Sequence, residues 1–87
     1  MGSPDTTVTI QILLSGLKRT KPDVIKRELT FKQGEQISIR QLKADLPINR
    51  NNIYNLGLFN EVQIRSQVIE QNVWVIIDVK ERWFVIG

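Results

Sequence analysis

Residues 73–79 read Val-Trp-Val-Ile-Ile-Asp-Val, with one charge in seven positions, and no other stretch constrains the fold as strongly. A run this apolar, rich in β-branched residues and short, is the pattern of a central strand covered on both faces, or of one whose outer face is used for contact. The strand is expected over 73–80, and as a central strand it needs a neighbour on each side. One neighbour is residues 61–68, where Val62, Ile64 and Val68 alternate inward and Gln63, Arg65 and Gln67 outward. Glu70-Gln71-Asn72 supplies a short polar turn, so the two segments form an antiparallel hairpin. The other neighbour is residues 7–15, with Val8, Ile10, Ile12 and Leu14 on one face, Thr9, Gln11 and Leu13 on the other, and Gly16 ending the strand.

Two helix starts lie between the first strand and the hairpin. Thr20-Lys21-Pro22-Asp23 offers a capping hydroxyl, a proline tolerated in a first turn and an acid three residues on. Val24, Ile25 and Leu29 then share one stripe of a helix over 21–29, and Phe31 and the turn residue Gly34 follow. Ser38-Ile39-Arg40-Gln41 is a Ser-x-x-Gln capping box, with Ile37 and Leu42 placed as a hydrophobic staple. Its apolar stripe passes through Leu42 and Leu46 and resumes at Ile53 and Leu56. Pro47 removes a helical hydrogen bond and clashes with the preceding turn, which predicts a kink or break within 46–49. Gly57 is expected to close the helix as a left-handed cap.

A connection through two helices is long enough to set the first strand parallel beside the last. The expected architecture is α+β: a two-layer sandwich, β-α-α-β-β, with a three-stranded mixed sheet and two helices on one face. Two edges are then open, the first strand and 61–68. On the face away from the helices, Leu13, Trp74 and Ile76 make an apolar patch of the kind that marks a contact surface.

Composition removes several function classes. The 87 residues suit one domain, with residues 7–82 as its body and 1–6 as a flexible N-terminal segment or a remnant of expression. The chain has no cysteine and no histidine, which excludes disulfides, thiol chemistry, imidazole catalysis and the usual transition-metal sites. The carboxylates are scattered, each near Lys or Arg, and the serines lie outside any nucleophile motif, so no catalysis, cofactor or metal is expected. Twelve basic against nine acidic residues is a mild excess. Its densest cluster, Lys18, Arg19, Lys21, Lys26 and Arg27, is interrupted by Asp23 and Glu28 and reads as a solvated helix face. No stretch approaches the roughly 18–20 apolar residues of a membrane span. The opening Met-Gly-Ser-Pro-Asp lacks the apolar core of a signal peptide. The apolar residues 83–87 are expected to begin a linker to a missing following domain.

The residues also match a family pattern. Leu14-x-Gly16, Thr20-Lys21-Pro22-x-Val24-Ile25-x-Arg27-Glu28-Leu29, Gly34, Asn55-Leu56-Gly57-Leu58-Phe59-x-x-Val62 and Val75-x-Ile77-x-Val79-x-Glu81-Arg82-Trp83 occur in the order and spacing of a POTRA (polypeptide-transport-associated) domain. The chain resembles that family from Val8 to Trp83, and Thr-Lys-Pro with Glu-Arg-Trp is similar to its BamA-like surface-antigen branch. It departs at Leu17, where an asparagine is common, and at Pro47.

The resemblance implies a periplasmic module of an outer-membrane β-barrel assembly or translocation protein. Its partners would be unfolded outer-membrane polypeptides or assembly-machine subunits, with neighbouring POTRA domains and a C-terminal β-barrel in the full-length protein. In isolation it would be a monomer, without nucleic acid and without a membrane span of its own. Clients would add as a strand to the edge Glu61, Val62, Gln63, Ile64, Arg65, Ser66, Gln67 and Val68. The signature residues Gly16, Thr20, Arg27, Glu28, Leu29, Gly34, Gly57, Leu58, Phe59 and Glu81 are expected to be mostly structural: the glycines in turns, Leu29, Leu58 and Phe59 in the core, Arg27 and Glu28 in ion pairs, and Glu81 anchoring the last strand. Two alternatives stand beside this reading. One is a POTRA domain of a cell-division or two-partner secretion protein. The other is a KH-like RNA-binding module, which shares the element order but needs a Gly-x-x-Gly loop where this chain has Thr30-Phe-Lys-Gln-Gly34-Glu-Gln-Ile37.

Overall fold

The computed structural model describes residues 6–82. The expectations for residues 1–5 and 83–87, Trp83 included, lie outside the described residues. The elements are β1 (Thr7–Ser15), α1 (Pro22–Lys26), β2 (Gln36–Ser38), α2 (Ile39–Tyr54), β3 (Phe59–Ile69) and β4 (Asn72–Glu81). They form a mixed sheet of order β2-β1-β4-β3, in which β1 and β4 are parallel and the two outer pairs antiparallel.

The sheet therefore has four strands, not three. The extra strand, Gln-Ile-Ser, is too short to show a period of two, and its last residue doubles as the N-cap of α2. It exists because β1 offers it a partner: Thr7, Val8 and Thr9 pair with Ser38, Ile37 and Gln36. Beyond β2 the covering continues. The Ile10 N–H donates to the Glu35 carbonyl at 2.9 Å, the Gly34 N–H donates to the Ile10 carbonyl at 2.8 Å, and the Ile12 N–H donates to Gln33 Oε1 at 2.7 Å. The β1 edge expected to be open is thus occupied from Thr7 to Ile12.

The central strand is the one that the apolar run predicts. Val73, Val75, Ile77 and Val79 are buried on the helix side and pack with Val8, Ile10, Val62 and Phe59 from the flanking strands. Ile25 from α1, Phe31 from the following loop, and Leu42 and Ile53 from α2 close the core over them. Burying this apolar set supplies the main driving force for the fold, at about 25 cal/mol per Å² removed from water.

The helices differ from expectation in instructive ways. Helix α1 has five residues, its N-cap is Lys21, and no side chain caps it; Thr20 is engaged elsewhere. In α2, Ser38 Oγ accepts the Gln41 N–H at 3.1 Å as the capping box requires, whereas the Gln41 side chain reaches forward to Asp45 Oδ1 at 2.8 Å. Pro47 does not break α2, which runs without interruption to Tyr54. Pro47 lies on an exposed flank, where water can hydrate the carbonyl it deprives of a partner. Gly57, at φ 76°, provides the left-handed turn that leads into β3.

Two side chains lie elsewhere than expected, Val68 from alternation and Leu58 from the family signature. Val68 shares the inner face of the sheet but is 46% exposed on the outer strand β3, whereas its partner Val73 on the inner strand β4 is fully buried. Leu58, expected in the core, is 41% exposed and leaves that role to Phe59.

Candidate functional site

The edge of β3 follows from its turn. Glu70 and Gln71 connect the facing pair Ile69 and Asn72, with Glu70 in the left-handed region at φ 56°. In a two-residue hairpin the flanking pair exchanges both backbone hydrogen bonds, and every second residue after it does the same. Ile69, Gln67, Arg65 and Gln63 consequently turn their backbone groups to β4. Val68, Ser66, Ile64 and Val62 turn theirs outward. The segment 61–68 thus carries a row of outward N–H and C=O groups with no strand beside it, a template for an added strand.

Helix α2 forms the wall next to that row. Leu42, Asn49 and Ile53 face the interior, and the helical period then places Lys43, Pro47, Arg50 and Tyr54 along the flank above β3. Arg50 Nε donates to the Val62 carbonyl at 3.1 Å, and its guanidinium lies over the Tyr54 ring, 5.4 Å from the centroid. On the opposite side of the sheet, Arg65 pairs with Asp78 at 3.4 Å and Glu61 with Lys80 at 3.3 Å. Both are exposed cross-strand pairs that contribute little to stability.

The outer face collects Leu13, Trp74 and Ile76. Leu13 stands opposite Ile76, and Trp74 lies between Gln11 and Gln67 in the adjacent row. Leu13 and Trp74 are 48% and 38% exposed, and Ile76 is half-buried.

At the far end of β4, the buried Glu81 carboxylate gathers the loop that follows β1. Its Oε1 accepts the Lys18 N–H at 3.1 Å, both oxygens accept the Arg19 N–H, and Oε2 accepts the Thr20 N–H at 2.7 Å. Burial alone would raise the pKa of this acid. The backbone hydrogen bonds from Arg19 and Thr20, the Thr20 side chain and the Lys18 backbone outweigh it and hold the pKa at about 2, against an ordinary 4.5. This is why Thr20 does not cap α1.

The folded state therefore releases this proton more readily than the unfolded chain does. Its stabilising contribution is complete above about pH 4.5 and is lost as the pH falls towards 2. We expect Glu81→Gln to lower the urea midpoint at pH 7 and to flatten the decline between those limits. If the variant keeps the wild-type slope, another carboxylate is responsible for it.

The comparisons with known proteins agree with this architecture. The family described as POTRA, surface antigen variable number repeat, matches residues 8–82. The chain belongs to the POTRA family. Among solved structures it is similar to POTRA1-2 of the periplasmic domain of Omp85 from Anabaena, at 16% identity and a TM-score of 0.67, covering 86% of this chain and 47% of that one. POTRA1-3 of the same periplasmic domain aligns at 20% identity and a TM-score of 0.59, covering 88% and 30%. The N-terminal domain of Omp85 from the thermophilic cyanobacterium Thermosynechococcus elongatus aligns at 28% identity and a TM-score of 0.57, covering 91% and 34%. The chain thus spans less than half the length of each of these structures. No curated protein matches it.

Within this POTRA domain the signature residues act at separate places. Gly16, Thr20 and Glu81 meet at the loop after β1. Leu29 packs against the core, and Phe59 lies within it. Gly34 and Gly57 take positive φ in turns. The ion pairs expected of Arg27 and Glu28 do not form among the described residues. Glu28 is tied to α2 through its backbone instead, where its carbonyl accepts Asn52 Nδ2 at 3.3 Å. The sequence reading missed Arg50, one basic residue among many on a helix, whose reach to Val62 appears only once α2 is laid against β3. It also missed Asn49, a buried polar residue on the apolar stripe of α2; its position between Leu46 and Ile53 at helical spacing was the available signal.

Proposed function

We propose that this POTRA domain is a periplasmic polypeptide-binding and scaffolding module of an outer-membrane protein assembly or translocation machine. It would hold unfolded clients or partner subunits by strand addition along Glu61–Val68, aided by apolar contacts at Leu13, Trp74 and Ile76. The observation that carries this reading is the free flank of β3 beneath α2, in a sheet whose opposite side is already occupied along β1 by β2 and its preceding loop. Backbone hydrogen bonds at such an edge bind without regard to sequence, and alternate side chains add preference. This suits a module that meets many extended polypeptides. Affinity for one domain is low and rises when several act in series, because each further contact becomes intramolecular. In the full-length protein the neighbours would be other POTRA domains and a membrane β-barrel, and this module would act as a non-catalytic scaffold.

The test is titration of the isotope-labelled domain with an extended peptide of alternating polarity, followed by amide shifts. Strand addition predicts the largest shifts at Ile64, Ser66 and Val68, saturating at about 1 mM peptide or below, as expected of a weak single-site contact. Shifts confined to other surfaces, or none at that concentration, would refute docking at β3.

A further inference from the structure

The docking flank of β3 is closed at one point, and the closure is built from α2. Of the outward backbone groups on this strand, the Val62 carbonyl accepts Arg50 Nε at 3.1 Å. The guanidinium is held in place from its own helix, by the Tyr54 ring 5.4 Å away and by Asn51 Oδ1, which accepts Nη1 at 3.3 Å. We propose that Arg50 sets both the register and the charge preference of strand addition, an inference that rests on reading β3 as the docking edge. It confines an added strand to the Ile64–Val68 half and favours an acidic residue over a basic one where that strand ends.

The register argument is one of exchange. A strand extended past Ile64 must take the Val62 carbonyl for itself, replacing a charge-assisted bond with a neutral one of about half the strength. It must also displace a planar group already stacked on an aromatic ring. Ile64, Ser66 and Val68 present no such obstacle, so pairing proceeds there and stops at Arg50.

The charge argument concerns what the end of that strand meets. The ion pairs across β3 and β4 join Arg65 to Asp78 and Glu61 to Lys80, and neither neutralises Arg50. Lys43 lies on the same flank of α2 and adds charge of the same sign. A carboxylate at the end of the added strand meets a fixed guanidinium with donors to spare, whereas a lysine meets repulsion.

The experiment uses two blocked peptides with the same alternating apolar centre, one with Glu and one with Lys at both ends, so that strand direction does not matter. With the wild-type domain, shifts should cover Ile64, Ser66 and Val68 and spare the Val62 amide. The Glu-ended peptide should bind about 3–10-fold more tightly, a ratio that shrinks as salt is raised. Arg50→Met should bring the Val62 amide into the footprint and reduce the ratio towards one. Arg50→Lys keeps the charge without the rigid fork, so the footprint should widen while the preference persists. Arg50 is exposed, and its replacement leaves the core packing intact. Equal Val62 shifts in wild type and Arg50→Met, or an unchanged charge ratio in Arg50→Met, would overturn the role of Arg50. Absence of β3 shifts in every variant would instead overturn β3 as the docking edge.

Discussion

Gly16→Ala is expected to lower the stability of the domain by about 3 kcal/mol or more, the range reached when a backbone clash is added to a strained φ. Gly16 sits at φ 94°, and a Cβ placed there would run into the Val79 carbonyl oxygen and come within 3.1 Å of its carbonyl carbon. Both obstacles are main chain of the central strand, so no rotamer change relieves them. Either β4 shifts or the loop after β1 lifts away, and lifting it takes the Lys18, Arg19 and Thr20 N–H groups off the Glu81 carboxylate. For a domain of this size the loss corresponds to a fall in Tm of roughly 12–24 °C. Gly34→Ala and Gly57→Ala are the controls. Both glycines have positive φ, but nothing lies within 4 Å of an added Cβ, so each should cost only the conformational strain of about 1–2 kcal/mol. Thermal unfolding of the three variants separates the two effects. If Gly16→Ala melts no lower than the controls, the close approach to Val79 is unimportant.

Much of this arrangement could be read from residue order because it depends on local periods. The apolar run in β4 identifies the middle of the sheet, the polar stretch Glu70-Gln71-Asn72 marks the hairpin, and Ser38 with Gln41 marks the start of α2. The failures occur where a tertiary partner decides. Gln36–Ser38 becomes a strand only because β1 lies beside it, and the predicted open edge of β1 disappears with it. Thr20 is a good cap by type, but Glu81, far along the chain, claims its N–H and hydroxyl. Val68 alternates correctly yet is left in solvent, since alternation specifies a face and not whether the strand lies at the margin of the sheet.

The candidate site divides in the same way. The edge position of β3 follows from the order of the strands, whereas the outward row at Ile64, Ser66 and Val68 follows from the pairing of Ile69 with Asn72 that the structure shows. The closure at Val62 follows from neither, because it depends on how α2 lies across the sheet. What positions α2 is therefore as important to the site as the edge itself. One buried side chain has a large part in that placement.

Asn49 is fully buried, with its Oδ1 accepting the Thr30 N–H at 2.8 Å and its Nδ2 donating to Thr30 Oγ1 at 3.1 Å. The amide thus clamps the loop between α1 and β2 to the helix, next to the buried Phe31, and it does so on the turn of α2 that carries Arg50. Asn49→Ala removes the clamp, leaves the Thr30 N–H without its partner and opens a cavity, for an expected loss of about 2–4 kcal/mol. Asn49→Asp makes a sharper test because it preserves shape. The acceptor for the Thr30 N–H remains, but the donor to Thr30 Oγ1 is lost and a buried negative charge takes its place. Relative to wild type at the same pH, Asn49→Asp should be strongly destabilised at pH 7 and should recover part of the deficit near pH 3, where protonation neutralises the carboxyl and restores a donor. Denaturant midpoints of both proteins at the two pH values provide the measurement. A deficit that does not change with pH would mean that the position tolerates charge, and that packing rather than the Thr30 hydrogen bonds is what places α2 over the docking edge.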